Sequence, residues 1–197
     1  SFSQTTGSGT TTFNTGSFST TPQSIATTGS AGVVINNNAI TLNDSIATTG
    51  NGVVTLNATN GALTITAAGD INADGAVSLT ASGGISTAGD ITTTGDAVDL
   101  NSAVTLTGDV AIDTGSADAG SISFDSTVDS DASTARALNL GAGSGNITFS
   151  GLVGNTKALA AVTIDEAANL TINGLRALSL TQTTGSGTTT FNTGSFS

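Results

Sequence analysis

The 197-residue chain repeats one short signal from end to end: an inward-type residue, one polar or small residue, then another inward-type residue, bounded by Gly, Asn, Asp or Ser. A period of two places both flanking residues on one face of an extended strand. One pair per cycle gives Thr11/Phe13, Val33/Ile35, Val54/Leu56, Val77/Leu79, Val98/Leu100, Ile122/Phe124, Ile147/Phe149, Leu170/Ile172 and Thr189/Phe191, at intervals of 19 to 25 residues. In GVVIN the inward pair could instead be Val34 and Asn36. Further pairs fall between these: Ile40/Leu42, Leu63/Ile65, Val104/Leu106, Val110/Ile112, Leu138/Leu140, Val162/Ile164 and Leu178/Leu180. Each cycle of about 22 residues therefore holds about three short strands. The alanines of ASTARAL and NTKALAAV could form a helical turn, but the alternation around them reads as wide corners or strands.

A cycle this short cannot bury its apolar side alone, whereas stacked copies enclose one continuous core. The spacing thus predicts an all-β chain, a parallel β-helix or β-solenoid. Strand-to-parallel-strand connections favour the right-handed sense. Neighbouring cycles also share words: SIATTG at Ser24 returns at Ser45, and GSISFDSTV at Gly120 is echoed by GNITFSGLV at Gly145.

A longer repeat overlies the short one. QTTGSGTTTFNTGSFS occurs without change at Gln4 to Ser19 and again at Gln182 to Ser197, an offset of 178 residues. This predicts one solenoid segment over residues 1–197, made of a 178-residue tandem unit and a 19-residue overlap into the next. The nine pairs divide 178 residues into eight intervals, so the expectation is eight closed coils per unit. Thr11/Phe13 and Thr189/Phe191 would then share one phase, and units would join in register. At ~4.8 Å per coil, eight coils advance about 38 Å.

Composition narrows the function classes. Recurrent Val, Ile and Thr in a chain that is 37% hydrophobic and only 9% charged argue against disorder. The absence of Cys removes disulfides and thiolate metal sites, and it fits an exported protein that withstands oxidation without crosslinks. A net charge of -11, with Arg136, Lys157 and Arg176 as the three bases, leaves nothing to neutralise a row of phosphates; nucleic acid and anionic membrane surfaces are excluded as partners. No apolar run approaches the ~20 residues of a membrane helix, so no direct membrane insertion is expected.

Most of the acids lie between Asp70 and Asp131. They read first as solvated corners that keep a Thr-rich rod soluble. The sharper reading is calcium: in DINADG, Asp70, Asn72 and Asp74 with Gly75 reproduce the opening of a calcium loop, although Ala81 stands where the closing bidentate acid belongs. Clusters such as Asp96 with Asp99, Asp109 with Asp113, and Asp125 with Asp129 and Asp131 could stack on adjacent coils around a cation. No other cofactor is expected. Without His or Cys, and with no serine beside an evident base, no catalytic residues are assigned and the chain is not expected to be an enzyme. Thr-x-Thr fragments do not recur once per coil, so β-propensity explains them better than an ice-binding face.

From Gly120 to Gly174 the wording GSISFDSTVDSDASTARALNLGAGSGNITFSGLVGNTKALAAVTIDEAANLTING resembles the β-strand repeats of giant secreted bacterial adhesins, of the filamentous-haemagglutinin-like and autotransporter-passenger-like kinds. The resemblance is clearest over residues 96–180. It implies export, a right-handed β-helix, and a role as stalk or fibre at the bacterial cell surface. No ligand residues carry over. The 178-residue periodicity departs from that family's pattern and points to a uniform filament. The expected function is therefore a structural repeat unit of an extracellular filament, whose partners are neighbouring units and, through lateral association, other filaments. The alternative is an adhesin segment that binds a host, surface or glycan ligand through a solenoid face, with calcium as a stabiliser of either form.

Overall fold

A computed structural model describes residues 1–14, 25–116 and 120–194. Within them the chain forms only short strands, with no helix, and every strand pair is parallel. The strands stack into three sheets of nine, six and eight members. Successive strands pass from the first sheet to the second and the third, the walls of a right-handed β-helix; after Val128–Ser130 the second wall is continued only by the isolated bridges of Val153 and Leu175. ASTARAL is an irregular corner leading into the strand Leu138–Gly141, and the alanines of NTKALAAV enter the strand Leu159–Ala167.

The register explains the spacing read from the sequence. In the first sheet Val33, Val54, Val77, Val98, Ile122, Ile147 and Leu170 lie one above another. Two residues on, Ile35, Leu56, Leu79, Leu100, Phe124, Phe149 and Ile172 form a second inward column. All fourteen are at most 1% exposed, which settles GVVIN in favour of Val33 and Ile35. Branched aliphatics suit this site because a half-buried pleat already restricts their χ1. Phe124 and Phe149 meet in the longest interval, 25 residues from Ile122 to Ile147, and stack at 4.7 Å with planes 6° apart. Backbone amides link the coils in series: Val54 N donates to Ala76 O, Val77 N to Ala97 O and Val98 N to Ser121 O, each at 2.9 Å.

Corners return the chain within a few residues, and one of them requires glycine. Gly32 has φ +54°, and a Cβ there would strike the Val53 carbonyl of the next coil.

Three expectations are corrected. Thr11/Phe13 does not lie beneath Val33/Ile35: the strand Phe2–Gln4 occupies that place, with Phe2 opposite Val33 and Gln4 opposite Ile35. Thr10–Phe13 instead pairs with Ala39–Leu42 in the second sheet. Gln4 can fill an inward position because it sits at the open end, where its amide stays partly solvated, while Phe2 meets Phe13 edge-on at 6.1 Å. The eight closed coils between the two copies fall with this correction. From Phe2 to Leu170 the first sheet completes seven turns, and Leu180, the counterpart of Phe2, then lies two sheets further on, in the third. The offset spans seven and two-thirds turns. Finally, Leu178 is 81% exposed where an inward residue was expected. The strand beneath explains it: Leu159 and Val162 are both buried although three residues apart, so the alternation slips, and their partners Ala177 and Leu180 turn inward instead.

Candidate functional site

Two regions stand out, the open ends of the coil stack and the acidic corner that leads into the third sheet. At one end Phe2–Gln4 forms the outer edge of the first sheet and Thr10–Phe13 that of the second; at the other, Ala177–Gly185 and Thr189–Phe191 edge the third and first sheets. Among the described residues the exposed large apolar side chains are Phe2, at 40%, Leu178 and Phe191, at 60%, all in these terminal coils. Elsewhere the core is closed by the coil above and below. Phe2 and Phe191 stand in the inward columns of the first sheet, whereas Leu178 faces outward.

The duplicated segment builds the same corner at both ends. Gln4 Oε1 accepts a hydrogen bond from the Thr11 hydroxyl at 2.7 Å, and Gln182 Oε1 accepts one from the Thr189 hydroxyl at 2.6 Å. Thr11 and Thr189 occupy equivalent places in the repeat, as do Gln4 and Gln182. In each copy the Gly-Ser-Gly turn lets two consecutive strands bring a glutamine amide against a threonine hydroxyl. What differs is the wall to which the module is docked. The first copy runs from the first sheet to the second, the last from the third sheet to the first. Residues 15–19 of the first copy and 195–197 of the last lie outside the described residues.

The calcium candidates lie along the strand Ile71–Ala73 of the third sheet. Ile71 and Ala73 point inward, at 0% and 3% exposure, so Asp70, Asn72 and Asp74 all face outward. The three-residue strand Ile71–Ala73 separates Asp70 from Asp74, four steps or roughly 13 Å at strand rise. A calcium loop must curl until its oxygens meet at about 2.3–2.6 Å from one ion, and the strand does not bring these three together. Protein donors occupy both carboxylates. Asp70 Oδ1 accepts from the Asp90 amide at 2.9 Å; Asp74 accepts from the Asn51 amide at 2.9 Å and the Thr94 hydroxyl at 2.8 Å. The bond from Asn51, then that from Thr94, holds the Asp74 carboxyl below the usual carboxylate range.

The acids around them act as a staircase. Asp70 takes the Asp90 amide, Asp90 takes the Ala111 amide at 2.8 Å, and Asp109 takes the Ala137 amide at 2.8 Å. In return the Asp90 carbonyl accepts from Ile71 N, so carboxylate and backbone clamp one coil to the next. Amides at the start of a strand need an acceptor, and a short carboxylate side chain from the coil beneath supplies one. Asp129 Oδ1 does the same for Thr156 N and Lys157 N. Asp131 binds Arg136 at 2.9 Å, and this bond, followed by that from Thr134 N, lowers its carboxyl to about 2. Asp118 lies outside the described residues. Among the described residues no three or more acidic side chains stand where they could jointly hold a metal ion.

Sequence reading missed a second structural set, the buried threonines that end strands of the third sheet or, for Thr114, directly follow one. Thr27 opposes Thr48, and Thr93 and Thr114 follow in later coils. Thr114 is 0% exposed and donates to the Gly120 carbonyl across the corner at 2.7 Å, while Thr48 and Thr93 donate to Gly52 O and Asp96 O. The visible signal was the recurring Ile-x-Thr of SIATTG and DITTTG. No helix among the described residues is long and apolar enough to cross a membrane. No protein-family model, curated protein or solved structure matches this chain.

Proposed function

We propose that the chain is a structural segment of an extracellular, bacterial β-solenoid filament or surface stalk, built by stacking tandem 178-residue units. The observation that carries this reading is the stack itself: parallel strands wound around one continuous core, with the same corner module in both copies of the duplicated segment. In such a stack each coil buries the core residues of the one before, so tandem units extend a single core. The outward faces suit a rod in water, with small polar residues and carboxylates that bind their own backbone. Stiffness follows from a dry interior and continuous inter-coil hydrogen bonding; the work of such a segment is to span distance and resist proteolysis. The resemblance of residues 96–180 to secreted bacterial adhesin repeats supports surface location and the filament role together.

Solution scattering on chains of one, two and three units tests this. The reading expects a constant cross-section and a length that grows by about 37 Å per unit, seven and two-thirds coils at ~4.8 Å. A maximum dimension that fails to grow with unit number, or independent particles on flexible linkers, defeats it.

A further inference from the structure

The two copies of the duplicated segment show how one unit joins the next, on the premise of the filament reading above. Residues 182–194 are by sequence the opening of a following unit, and they already sit on the coil beneath. Thr189 opposes Leu170 and Phe191 opposes Ile172 in the first sheet, while Leu180 and Gln182 oppose Val162 and Ile164 in the third. In the first copy, the corresponding strands carry the coil above on different walls: Phe2 and Gln4 oppose Val33 and Ile35 in the first sheet, and Thr11 and Phe13 oppose Ile40 and Leu42 in the second.

We propose that each end docks a further copy of the same unit, and that every copy is turned by one sheet relative to the copy before it. The occupant is fixed by the sequence, because Gln182–Gly185, the end of the strand that covers Leu159–Ala167, and Thr189–Phe191, which covers Leu170–Ile172, belong to the duplicated opening segment. The turn is fixed by the walls. A module that runs from first sheet to second in one copy runs from third to first in the next, a lag of one-third of a turn over 178 residues. The same inward alternation on all three walls permits this, since a strand such as Thr10–Phe13 presents apolar and small polar residues that fit either wall.

With three walls, phase returns after three units, which is twenty-three coils or roughly 110 Å at strand spacing. No side of the rod then carries the acidic corner of every unit. The staircase of Asp70, Asp90 and Asp109 moves to a new wall with each copy, and the net charge of -11 per 197-residue chain is wound around the axis instead of forming one repulsive seam.

The chain has no cysteine, so paired substitutions read the register cleanly. Neighbouring parallel strands hold opposed Cα atoms within disulfide reach, whereas residues on different walls are not opposed. In the 197-residue protein, Thr12→Cys with Thr41→Cys should oxidise fully, as these residues are opposed in the second sheet, while Thr12→Cys with Val34→Cys should not. The reverse result, crosslinking of Thr12 to Val34 and not to Thr41, places both copies in one phase and overturns the proposal. Two further pairs separate this from failure of the filament reading. Thr171→Cys with Thr190→Cys reports the joint itself, and Ser78→Cys with Asp99→Cys reports coil stacking in the middle of the chain. Both are expected to close in either phase. Loss of the Thr171–Thr190 crosslink alone removes the joint on which the filament reading rests, and loss of both removes the stacked coil.

Discussion

Replacing Phe149 by Ala removes a ring that is 1% exposed and stacked on Phe124, and it should rank with Phe124→Ala among the costliest truncations of one side chain in the described core. Truncating a buried Phe costs about 3–5 kcal/mol where the surroundings cannot collapse. Collapse is resisted here because the coils above and below are held by the backbone ladder, with Ile122 N bonded to Asn146 O and Ile147 N to Asn169 O, both at 2.8 Å. Of the total, about 0.5–1.5 kcal/mol belongs to the ring pair itself. Phe149→Leu, which keeps most of the volume and loses the stack, should therefore cost about 1.5 kcal/mol or less. The chain has no Trp or Tyr, so urea unfolding is best followed by far-ultraviolet circular dichroism. With a slope of about 2–3 kcal/mol/M, the Ala variant should lower the midpoint by about 1–2 M. Phe124→Ala combined with Phe149→Ala should cost less than the two single changes added together, since each alone already breaks the stack. A midpoint shift for Phe149→Ala within the scatter of surface substitutions, or strict additivity in the double variant, would refute the packed column.

Thr114→Val tests the buried threonine row: it keeps the shape but leaves the Gly120 carbonyl without its donor, for an expected loss of about 1–3 kcal/mol by urea titration, whereas Thr92→Val on the outer face of the same sheet should be neutral within about 0.5 kcal/mol. Equal effects at the two sites would contradict the assignment. Asp131 and Asp74 have carboxyls lowered in the folded state, so the stability they contribute is present above the unfolded value near 3.8 and is lost as pH falls, through about 2 in the case of Asp131. Thermal midpoints of the unmodified protein should fall across that window, and Asp131→Asn should flatten the profile; parallel profiles would show that the Arg136 bond contributes nothing. Calcium removal followed by addition should leave the thermal midpoint unchanged, because Asp70 and Asp74 are held by protein donors along an extended strand; a calcium-dependent rise that Asp74→Asn abolishes would make them ligands after all.

The walls of the solenoid were legible wherever both inward residues are apolar. Val54/Leu56, Leu63/Ile65 and Leu138/Leu140 announce strands by alternation alone, and their spacing gives the coil length. Strands whose second inward residue is Thr, such as Ile46–Thr48 and Ile91–Thr93, do not show in an apolar pattern, because their hydroxyls are buried by virtue of a corner carbonyl that no sequence displays. Phase was the harder quantity. TTTF fits the first or the second wall equally well, so only pairing with Ala39–Leu42 or Leu170–Ile172 distinguishes them. Leu178 failed for a related reason, as the slip between Leu159 and Val162 belongs to the coil beneath and not to its own strand. The acids were legible as corners; their role as acceptors for the next coil depends on residues about 20 positions away, as in Asp70 with Asp90.

The most direct test of the central claim is the diffraction of aligned multi-unit protein, by fibre methods or by averaged images of single rods. Coils stacked along the axis predict a strong reflection at ~4.8 Å on the meridian, parallel to the rod. A 4.8 Å spacing that lies across the rod, or none at all, would contradict a filament built from these coils.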